Sequence, residues 1–325
     1  MKKQLEKKCR VGVLMGGCSS EREISLKSGK AVYQSLLTQG YDAVSIDFNE
    51  MEIRKINETI LKAKIDVAFI ALHGQWGEDG RIQFLLEDLN IPYTGSGPQA
   101  SQKALHKVKA QKIFETNGIT IAKYVSLLRG DEADKNAVID NWNIFPCIVK
   151  PSAEGSSFGI KLVFSKEELG PAVDFAFEFD ENVLIEKYIK GRELTVGILD
   201  GRPLPIIEIC PQGSFFDFQC KYRKGMTDYK VPAELDLALS RTIQETAVRA
   251  HHLLGCRHFS RVDFMLAENN QHFVLEVNTI PGFTETSLLP KAAKVAGLNF
   301  DQLISRILVL AYGSKEEVKN SAVTI

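Results

Sequence analysis

The feature that most constrains this chain is a pair of short, apolar, strand-like segments that carry polar side chains two positions apart. The segments and their polar residues are 261–264 with Arg261 and Asp263, and 274–278 with Glu276 and Asn278. Side chains at positions i and i+2 of a strand point to the same face. Two such strands side by side would gather groups that bind an anion and a hard cation such as Mg²⁺. Ordinary polar residues at the ends of a hairpin are the alternative explanation.

Strand-like and helix-like segments alternate along the first hundred residues. Apolar runs predict strands at residues 10–15, 42–48 and 65–72, and helices are predicted at 20–39 and 79–89. This alternation is typical of a parallel sheet that is covered by helices on both faces. Ser20, followed by Glu23, predicts a capping box at the start of the first helix.

The rest of the chain mixes strands and helices without an internal repeat. Helices are predicted at residues 103–117 and 234–254, and strands at 121–127, 145–150, 193–199 and 204–209. The irregular segment 211–232 is long for a structureless loop, and we expect it to act as a lid. The predicted divisions are an N-terminal α/β substrate domain at 1–100, a central lobe at 101–188, a C-terminal lobe with the metal site and lid at 189–313, and a disordered polar tail at 314–325.

Composition narrows the possible functions. The chain has 325 residues, of which 44% are hydrophobic and 25% charged, and its net charge of -1 provides no global field for nucleic acid or an anionic membrane. No apolar stretch is long enough to span a bilayer, and no signal-peptide core follows the basic start. The six cysteines are scattered, which favours reduced thiols. We therefore expect a cytoplasmic protein without a nucleic-acid or membrane partner.

A Gly/Ser-rich loop follows the strand that is predicted at residues 145–150. From Lys150 to Gly159 it offers a lysine and backbone N–H groups to phosphate oxygens, although it lacks the GK[ST] of a Walker loop. A flexible hairpin turn is the alternative. Further on, Glu186 is placed to accept a hydrogen bond from adenine, and Glu193 suits ribose hydroxyls. Taken alone, these two residues are better explained by an exposed connection between domains.

Two loops follow predicted strands of the N-terminal sheet, at the edge where open α/β sheets bind ligands. The first contains Glu21, which either compensates the helix dipole or binds a ligand ammonium. The second contains His73, which we expect at the rim of the site, although a single histidine is more often structural than catalytic. No G-x-G-x-x-G follows the first strand, which argues against a Rossmann-type oxidoreductase.

Taken together and in this order, the motifs resemble those of the D-alanine–D-alanine ligases of the ATP-grasp superfamily. The motifs are Gly16-Gly17 with Ser20-Glu21-Arg22-Glu23, His73-Gly74, Glu78-Asp79-Gly80, Tyr93-Thr94-Gly95-Ser96-Gly97, Lys150-Pro151 with Glu154-Gly155-Ser156-Ser157, and Asn278-Thr279 with Pro281-Gly282. The resemblance runs from about residue 10 to residue 312. It implies an α/β and α+β protein, in which an N-terminal parallel-sheet, Rossmann-like (pre-ATP-grasp) domain precedes a two-lobed ATP-grasp fold. It also implies a homodimer.

The implied reaction is a two-step ligation for peptidoglycan precursor synthesis. ATP phosphorylates one D-alanine, and the amine of a second D-alanine attacks the acyl phosphate to give D-alanyl-D-alanine. The resemblance implies ATP contacts at Lys107, Lys150, Ser156, Ser157, Glu186, Lys187, Ile189 and Glu193. It implies two Mg²⁺ ions, replaceable by Mn²⁺, on Asp263, Glu276 and Asn278. It implies substrate contacts at Glu21, His73, Ser287 and Leu288, and catalytic roles for Glu21, Ser156, Lys221, Tyr222, Arg261 and Ser287.

Two positions depart from the family pattern. His106 precedes Lys107 where an acidic residue is common, and Cys18 stands where a hydroxyl residue is common.

Two other functions stay open for the same fold. A D-alanine–D-lactate ligase would share the chemistry, but depsipeptide-forming relatives usually lack a tyrosine at the position of Tyr222. A non-catalytic ATP-binding module should have lost metal or phosphate residues, whereas Arg261, Asp263 and Glu276 are all present. The sequence therefore favours the D-alanine–D-alanine ligase.

Overall fold

The computed structural model describes residues 9–50, 52–155, 158–211 and 227–321, with side chains described as far as residue 313. The strands are β1 (Arg10–Gly16), β2 (Asp42–Phe48), β3 (Val67–Ile70), β4 (Tyr124–Leu128), β5 (Cys147–Pro151), β6 (Lys161–Val163), β7 (Asn182–Lys187), β8 (Gly191–Leu199), β9 (Arg202–Pro203), β10 (Ile207–Pro211), β11 (Thr227–Lys230), β12 (Phe259–Ala267) and β13 (His272–Asn278). The helices are α1 (Arg22–Thr38), α2 (Ile53–Ala63), α3 (Arg81–Asp88), α4 (Pro98–Leu105), α5 (Lys107–Thr116), α6 (Glu132–Asn141), α7 (Lys166–Phe177), α8 (Leu237–Leu253), α9 (Leu288–Val295) and α10 (Phe300–Ser321).

The N-terminal sheet is parallel, as the alternating pattern predicts. Its strand order is β2-β1-β3, so β1 lies in the centre. In this register Val11 faces Ala43 on one side and Val67 on the other. The apolar side chains of β1 are buried, which is the pattern of a strand covered on both faces. The carboxyl ends of β1 and β3 therefore meet at one edge, where the loops with Glu21 and His73 begin.

Two antiparallel sheets follow, which confirms the mixed fold class. The four-stranded sheet has the order β4-β7-β5-β6, and α7 packs against it. The six-stranded sheet has the order β11-β10-β8-β12-β13, with β9 paired to β8. Helix α8 packs against this sheet and is capped by the carboxylate of Asp236, which accepts hydrogen bonds from Ala238 and Leu239.

Two of the hydrophobic cores contain residues from more than one predicted domain. One core belongs to the four-stranded sheet and its helices. A second core joins residues 104–119, which precede that sheet, to the six-stranded sheet and α8. The third core holds the N-terminal sheet together with later residues such as Phe283, whose ring meets Phe69 and Phe259 edge-to-face at 5.3 and 5.2 Å. The N-terminal sheet is thus packed against the C-terminal part of the chain, while the exact domain boundaries stay a prediction.

The prediction of a single helix at residues 103–117 is wrong, because two helices, α4 and α5, meet at His106. The backbone of His106 is extended, with φ -83° and ψ 93°. Its ring contacts the hydroxyl of the fully buried Ser152 at 2.7 Å, and the N–H of Lys107 donates to the carbonyl of Ser152 at 2.9 Å. Contacts with the loop after β5 therefore replace helix continuation. The sequence shows no proline or glycine at this point that would have indicated the break.

The predicted capping box at Ser20 and Glu23 is also absent, because α1 begins at Arg22 and Glu21 occupies the N-cap position. Ser19 holds the entry to the helix instead. Its hydroxyl donates to the carbonyl of His73 at 2.8 Å and accepts from the N–H of Glu21 at 3.3 Å. A tertiary contact between the two ligand-side loops has displaced the local cap. The other element boundaries differ from the predicted ones by a few residues.

The disordered tail predicted at 314–325 is wrong for its first part, because α10 continues to Ser321. Lysine, glutamate and valine follow Gly313 with no proline, and lysine and glutamate have high helix propensity. Residues 322–325 lie outside the described part of the chain. Within the described residues, no helix combines the length and the apolar character needed to cross a bilayer.

Candidate active site

The two strands with paired polar residues are direct neighbours. In the antiparallel register of β12 and β13, Arg261 faces Asn278 and Asp263 faces Glu276, and the register shifts just after Asp263. Four polar side chains therefore lie together on the two neighbouring strands β12 and β13, at the end away from the hairpin turn at residues 268–271. Such a set of two carboxylates, an amide oxygen and a guanidinium can bind a hard cation and an anion.

The carboxylate of Asp263 accepts four hydrogen bonds. Its Oδ1 accepts from Nε of Arg261 at 2.9 Å and from the hydroxyl of Thr195 at 2.6 Å. Its Oδ2 accepts from Nη2 of Arg261 at 2.7 Å and from Nδ2 of Asn278 at 3.0 Å. The bidentate contact fixes the plane of the guanidinium. Thr195 lies on β8 directly opposite Asp263, so the sheet itself orients the carboxylate.

Two lysines form ion pairs near this set, one with Glu276 and one within the four-stranded sheet. Nζ of Lys107 lies 3.3 Å from the carboxylate of Glu276 and donates to the carbonyl of Glu154 at 2.8 Å. Nζ of Lys150 lies 2.6 Å from the carboxylate of Glu186, and both side chains are less than a tenth exposed. The second carboxylate oxygen of Glu186 accepts from the amide of Gln111 at 3.1 Å. Each lysine is therefore held by an acid from a different strand, at a fixed position.

A cavity of about 460 Å³ opens between the four-stranded and six-stranded sheets. Six of the residues predicted to bind ATP line it: Lys107, Lys150, Glu186, Lys187, Ile189 and Glu193. Its wall also carries apolar side chains such as Ile148 and Met265. Arg192 pairs with Glu208 at 2.7 Å on the same wall, and neither residue was predicted from the sequence. Long apolar walls with a few placed polar groups are typical of a nucleotide pocket.

A second cavity, of about 470 Å³, lies between the N-terminal sheet and the six-stranded sheet. The described residues that were predicted to bind or act on substrate line it: Glu21, His73, Arg261, Ser287 and Leu288. Asp263 and Glu276 line both cavities. The two cavities therefore meet at the carboxylate pair. Ser156, Ser157, Lys221 and Tyr222, which were also predicted to act here, lie outside the described residues.

Glu21 lies against two glycines that come from different parts of the chain. A Cβ added to Gly74 would approach its carboxylate to 3.0 Å, and one added to Gly155 would approach it to 2.8 Å. Gly74 also has φ +66°, a conformation that glycine adopts without strain. The Gly/Ser-rich loop that follows β5 therefore reaches across to the second cavity. This close approach explains why small residues stand at these positions.

Two buried titratable groups surround the loop after β13. Burial lowers the pKa of His73, and Arg261 acts in the same direction, so the imidazole is neutral at physiological pH. Burial and the negative charge of Glu21 raise the pKa of Glu78 to about 8. Glu78 accepts from the N–H of Gly74 at 2.8 Å and from that of Ile280 at 3.4 Å. The sequence assigned no role to Glu78, although it follows β3 in the same loop as His73.

Tyr229 and Lys291 are two further residues that the sequence did not single out. Tyr229 lines the second cavity, and the ammonium of Lys291 lies 3.7 Å from the centre of its ring. Burial lowers the pKa of Lys291 and raises that of Tyr229. This contact connects β11, which follows segment 212–226, to α9, which begins at Leu288.

The metal-ligand set is small. Among the described residues, no three His, Cys, Asp or Glu side chains come together as a metal cluster. The predicted set consists instead of two carboxylates and one amide, and Asn278 already contacts Asp263. Oxygen ligands of this kind suit Mg²⁺, which keeps several waters and bonds to substrate phosphates.

The departures from the family pattern have structural explanations. His106 contacts Ser152 beside the break between α4 and α5, and burial lowers its pKa. Cys18 is exposed, and its thiol contacts the carbonyl of Asn49 at 3.7 Å.

Comparison with known proteins identifies relatives along nearly the whole chain. A family model described as D-ala D-ala ligase N-terminus matches residues 47–96, and one described as D-ala D-ala ligase C-terminus matches residues 113–309. The D-alanine--D-alanine ligase of Geotalea uraniireducens is 47% identical over 302 residues, which cover 93% of this chain and 95% of that protein.

Solved structures give the same result. The D-alanine--D-alanine ligase of Bacillus anthracis in complex with ATP aligns with a TM-score of 0.82 and 36% identity, covering 96% of this chain and 99% of that one. The D-Ala:D-Ser ligase of Enterococcus faecalis aligns with a TM-score of 0.79 and 30% identity, covering 94% and 99%. The chain therefore belongs to the D-alanine–D-alanine ligase family, with the ATP-grasp fold that the motifs predict.

Proposed function

We propose that this protein joins two D-alanines in an ATP-dependent reaction that passes through an acyl phosphate and yields D-alanyl-D-alanine, ADP and phosphate. The observation that carries the proposal is the meeting of the two cavities at Asp263 and Glu276. If a nucleotide occupies the first cavity and its phosphates lie at these carboxylates, its terminal phosphoryl group lies beside an amino acid in the second cavity. Phosphoryl transfer depends mainly on such positioning and on neutralisation of charge.

ATP binds in the first cavity. Lys107 and Lys150 contact its phosphates, with Ser156 and Ser157 in the loop over them. Glu186, Lys187, Ile189 and Glu193 hold the adenosine. The similarity to the Bacillus anthracis ligase, which was solved in complex with ATP, supports ATP as the nucleotide. The buried pair of Lys150 and Glu186 supports the assignment, because an ammonium 2.6 Å from a carboxylate is held in position before the phosphate arrives.

Two Mg²⁺ ions, which Mn²⁺ can replace, bind at Asp263, Glu276 and Asn278. The donor set fits a hard cation, since Thr195 orients Asp263 and the sheet register brings the three side chains together. These residues would hold Mg²⁺, which would supply positive charge to offset that of the transferred phosphoryl group. Arg261 and Lys107, which now pair with the two carboxylates, stay next to the site as further positive groups.

The second cavity takes both D-alanines. Glu21 binds the ammonium of the first D-alanine, and His73 lies beside it. The carboxylate of the second D-alanine binds at Ser287 and Leu288, where the N-terminus of α9 offers backbone N–H groups. Arg261 stabilises the oxyanion of the tetrahedral intermediate, because its guanidinium is always charged and is fixed by Asp263.

The predicted irregular segment 211–232 is wrong at its end, because residues 227–230 form strand β11, which pairs with β10. The part of the segment between these two strands closes over the reacting groups as a lid. Lys221 contacts the transferred phosphate, and Tyr222 forms a hydrogen-bonded set with Glu21 and Ser156. Closure excludes water that would otherwise hydrolyse the acyl phosphate. The protein is a cytoplasmic homodimer in this proposal, and light scattering on the purified protein tests the assembly.

A steady-state assay with mass detection tests the function. We expect ATP-dependent phosphate release with D-alanine alone, together with D-alanyl-D-alanine in the products. Glu276→Gln should abolish both, whereas Glu268→Gln, a matched change at an exposed carboxylate paired with Lys190, should leave both unchanged. Release that requires added D-lactate or D-serine would assign another acceptor to the same fold. Nucleotide binding without turnover would refute the ligase and favour a binding module.

A further inference from the structure

Ser28 has an unusual environment for a helical serine. It lies on α1, is fully buried, and bonds to two groups from distant parts of the chain. Its hydroxyl oxygen accepts from the backbone N–H of Phe283 at 3.1 Å. It also lies 3.2 Å from Nε2 of His73. No catalytic or binding role for Ser28 follows from the function proposed above.

His73 lies between Ser28 and the same loop. Its Nε2 is 3.2 Å from the hydroxyl of Ser28, and the tautomer of the imidazole decides which of the two groups donates. A hydrogen bond with the backbone of Ile280 acts to raise the pKa of His73, against the larger effect of burial.

Ser28 and His73 both contact the loop after β13. Ser28 accepts from the N–H of Phe283 and contacts His73, whose pKa is affected by a hydrogen bond with the backbone of Ile280. Two side chains of the N-terminal sheet region therefore hold the loop of residues 280–283. Phe283 anchors the loop further, because its buried ring packs against Phe69 and Phe259.

The loop continues directly into the start of α9. The N–H of Thr284 donates to the hydroxyl of Ser287 at 3.1 Å, and the N–H of Ser287 donates to the carbonyl of Thr284 at 2.9 Å. The two hydroxyls lie 2.8 Å apart. A displacement of Phe283 would therefore shift Thr284 and, through its hydrogen bonds, Ser287, the N-cap residue of α9. Gly282 packs closely here, since an added Cβ would approach the hydroxyl of Ser287 to 2.9 Å.

We propose that Ser28 is a positioning residue for the second amino-acid substrate, acting through His73 and the loop of residues 280–283 to place the N-terminus of α9. This inference rests on the proposed function, since it assigns the end of α9 to the carboxylate of the second D-alanine. Ser28 contacts neither ATP nor the metal ligands in this account. Its loss should therefore affect the cavity for the D-alanines, which Ser28 and His73 line, and spare the ATP site.

Ser28→Ala and a matched control, Ser25→Ala, test this inference. Ser25 is equally buried on the same face of α1, and it also makes two hydrogen bonds, from Gly16 at 2.9 Å and to Ala71 at 2.7 Å. Both of its partners belong to the N-terminal sheet region. We expect Ser28→Ala to raise KM for the second D-alanine about tenfold, because the hydrogen bonds of Ser28 to Phe283 and His73 are lost, and to raise KM for ATP less than about twofold. Ser25→Ala should leave KM for the second D-alanine unchanged.

A double-mutant cycle and a spectroscopic measurement complete the test. If Ser28 acts through His73, the effects of Ser28→Ala and His73→Gln on this KM should be clearly less than additive. Independently of activity, amide hydrogen exchange of the wild type, followed by NMR, should show the N–H of Phe283 as protected, because it donates to the buried hydroxyl of Ser28. This measurement needs no variant of Ser28 to fold.

Three results would overturn the inference. They are equal kinetic changes in Ser28→Ala and Ser25→Ala, additivity in the cycle, or an unprotected N–H of Phe283 in the wild type. Wild-type protein without turnover would instead refute the proposed function and the substrate role of Ser28 with it. Normal wild-type turnover with an unchanged KM in Ser28→Ala would refute this inference alone.

Discussion

Glu78 provides a direct test of the electrostatics of the site. Its carboxyl has a pKa of about 8 in the folded protein, against an ordinary value of 4.5, because burial and the charge of Glu21 disfavour ionisation. Between pH 4.5 and pH 8, the carboxyl of Glu78 is therefore protonated in the folded state and ionised in the unfolded state. The stability that comes from this proton is fully present below pH 4.5 and is lost as the pH rises through 8.

The size of the effect follows from the two pKa values. Each tenfold difference in proton affinity corresponds to about 1.4 kcal/mol, so ionisation of Glu78 costs the fold at most about 5 kcal/mol above pH 8. Glu78 keeps some contact with solvent, which screens the charge and makes this figure an upper limit. Glu78→Gln keeps an oxygen for the N–H of Gly74 but cannot ionise.

Urea unfolding of the wild type and of Glu78→Gln at pH 5 and pH 9 measures the difference. We expect the two proteins to have similar free energies of unfolding at pH 5. At pH 9 the variant should be more stable than the wild type by roughly 2–5 kcal/mol. Glu268→Gln serves as the control, since Glu268 is exposed and its variant should follow the wild type at both pH values. Parallel pH dependence of Glu78→Gln and the wild type would refute the proposed protonation of Glu78.

Three further predictions concern other parts of the molecule. Lys150→Met leaves the Glu186 carboxylate buried without its cation and should lower the free energy of unfolding by about 3–5 kcal/mol, which adding Glu186→Gln should largely restore in urea titrations. Thr195→Val removes the 2.6 Å donor to Asp263 and should weaken activation by Mg²⁺ about tenfold in a titration of activity against the ion. Burial lowers the pKa of His258 from 6.5 to about 4, so its contribution to stability is present above pH 6.5 and is lost as the pH falls towards 4. His258→Asn, which tolerates the positive φ of 63°, should reduce this acid-induced loss by up to about 3 kcal/mol.

The sequence predicted the fold class because hydrophobic periodicity and glycine turns are local signals. The strand at Asp42–Phe48 and the parallel N-terminal sheet followed from apolar runs between turn residues. The break at His106 could not be predicted in this way, because its cause is a contact with Ser152, which is far away in the sequence. The same holds for the entry to α1, where Ser19 bonds to the carbonyl of His73 and replaces the predicted cap.

The candidate site was partly predictable for a related reason. The pairing of Asp263 with Glu276 followed from two i, i+2 patterns on consecutive strands. Thr195 and Ser28 carry no such signal, since each is an ordinary polar residue in an apolar element and acquires its contacts only when distant strands and helices meet. Glu78 was visible in a motif, but its raised pKa depends on burial and on Glu21, which the sequence alone does not place beside it.

The fate of the carboxylate oxygens of D-alanine tests the central claim most directly. The protein would be incubated with ATP and D-alanine labelled with ¹⁸O in both carboxylate oxygens, and the released phosphate would be analysed by mass spectrometry. An acyl phosphate forms when a carboxylate oxygen attacks the γ-phosphorus, and attack by the second amine then expels phosphate together with that oxygen. We expect one ¹⁸O atom in each phosphate that accompanies a dipeptide. Unlabelled phosphate, or label recovered in AMP, would contradict the acyl-phosphate route.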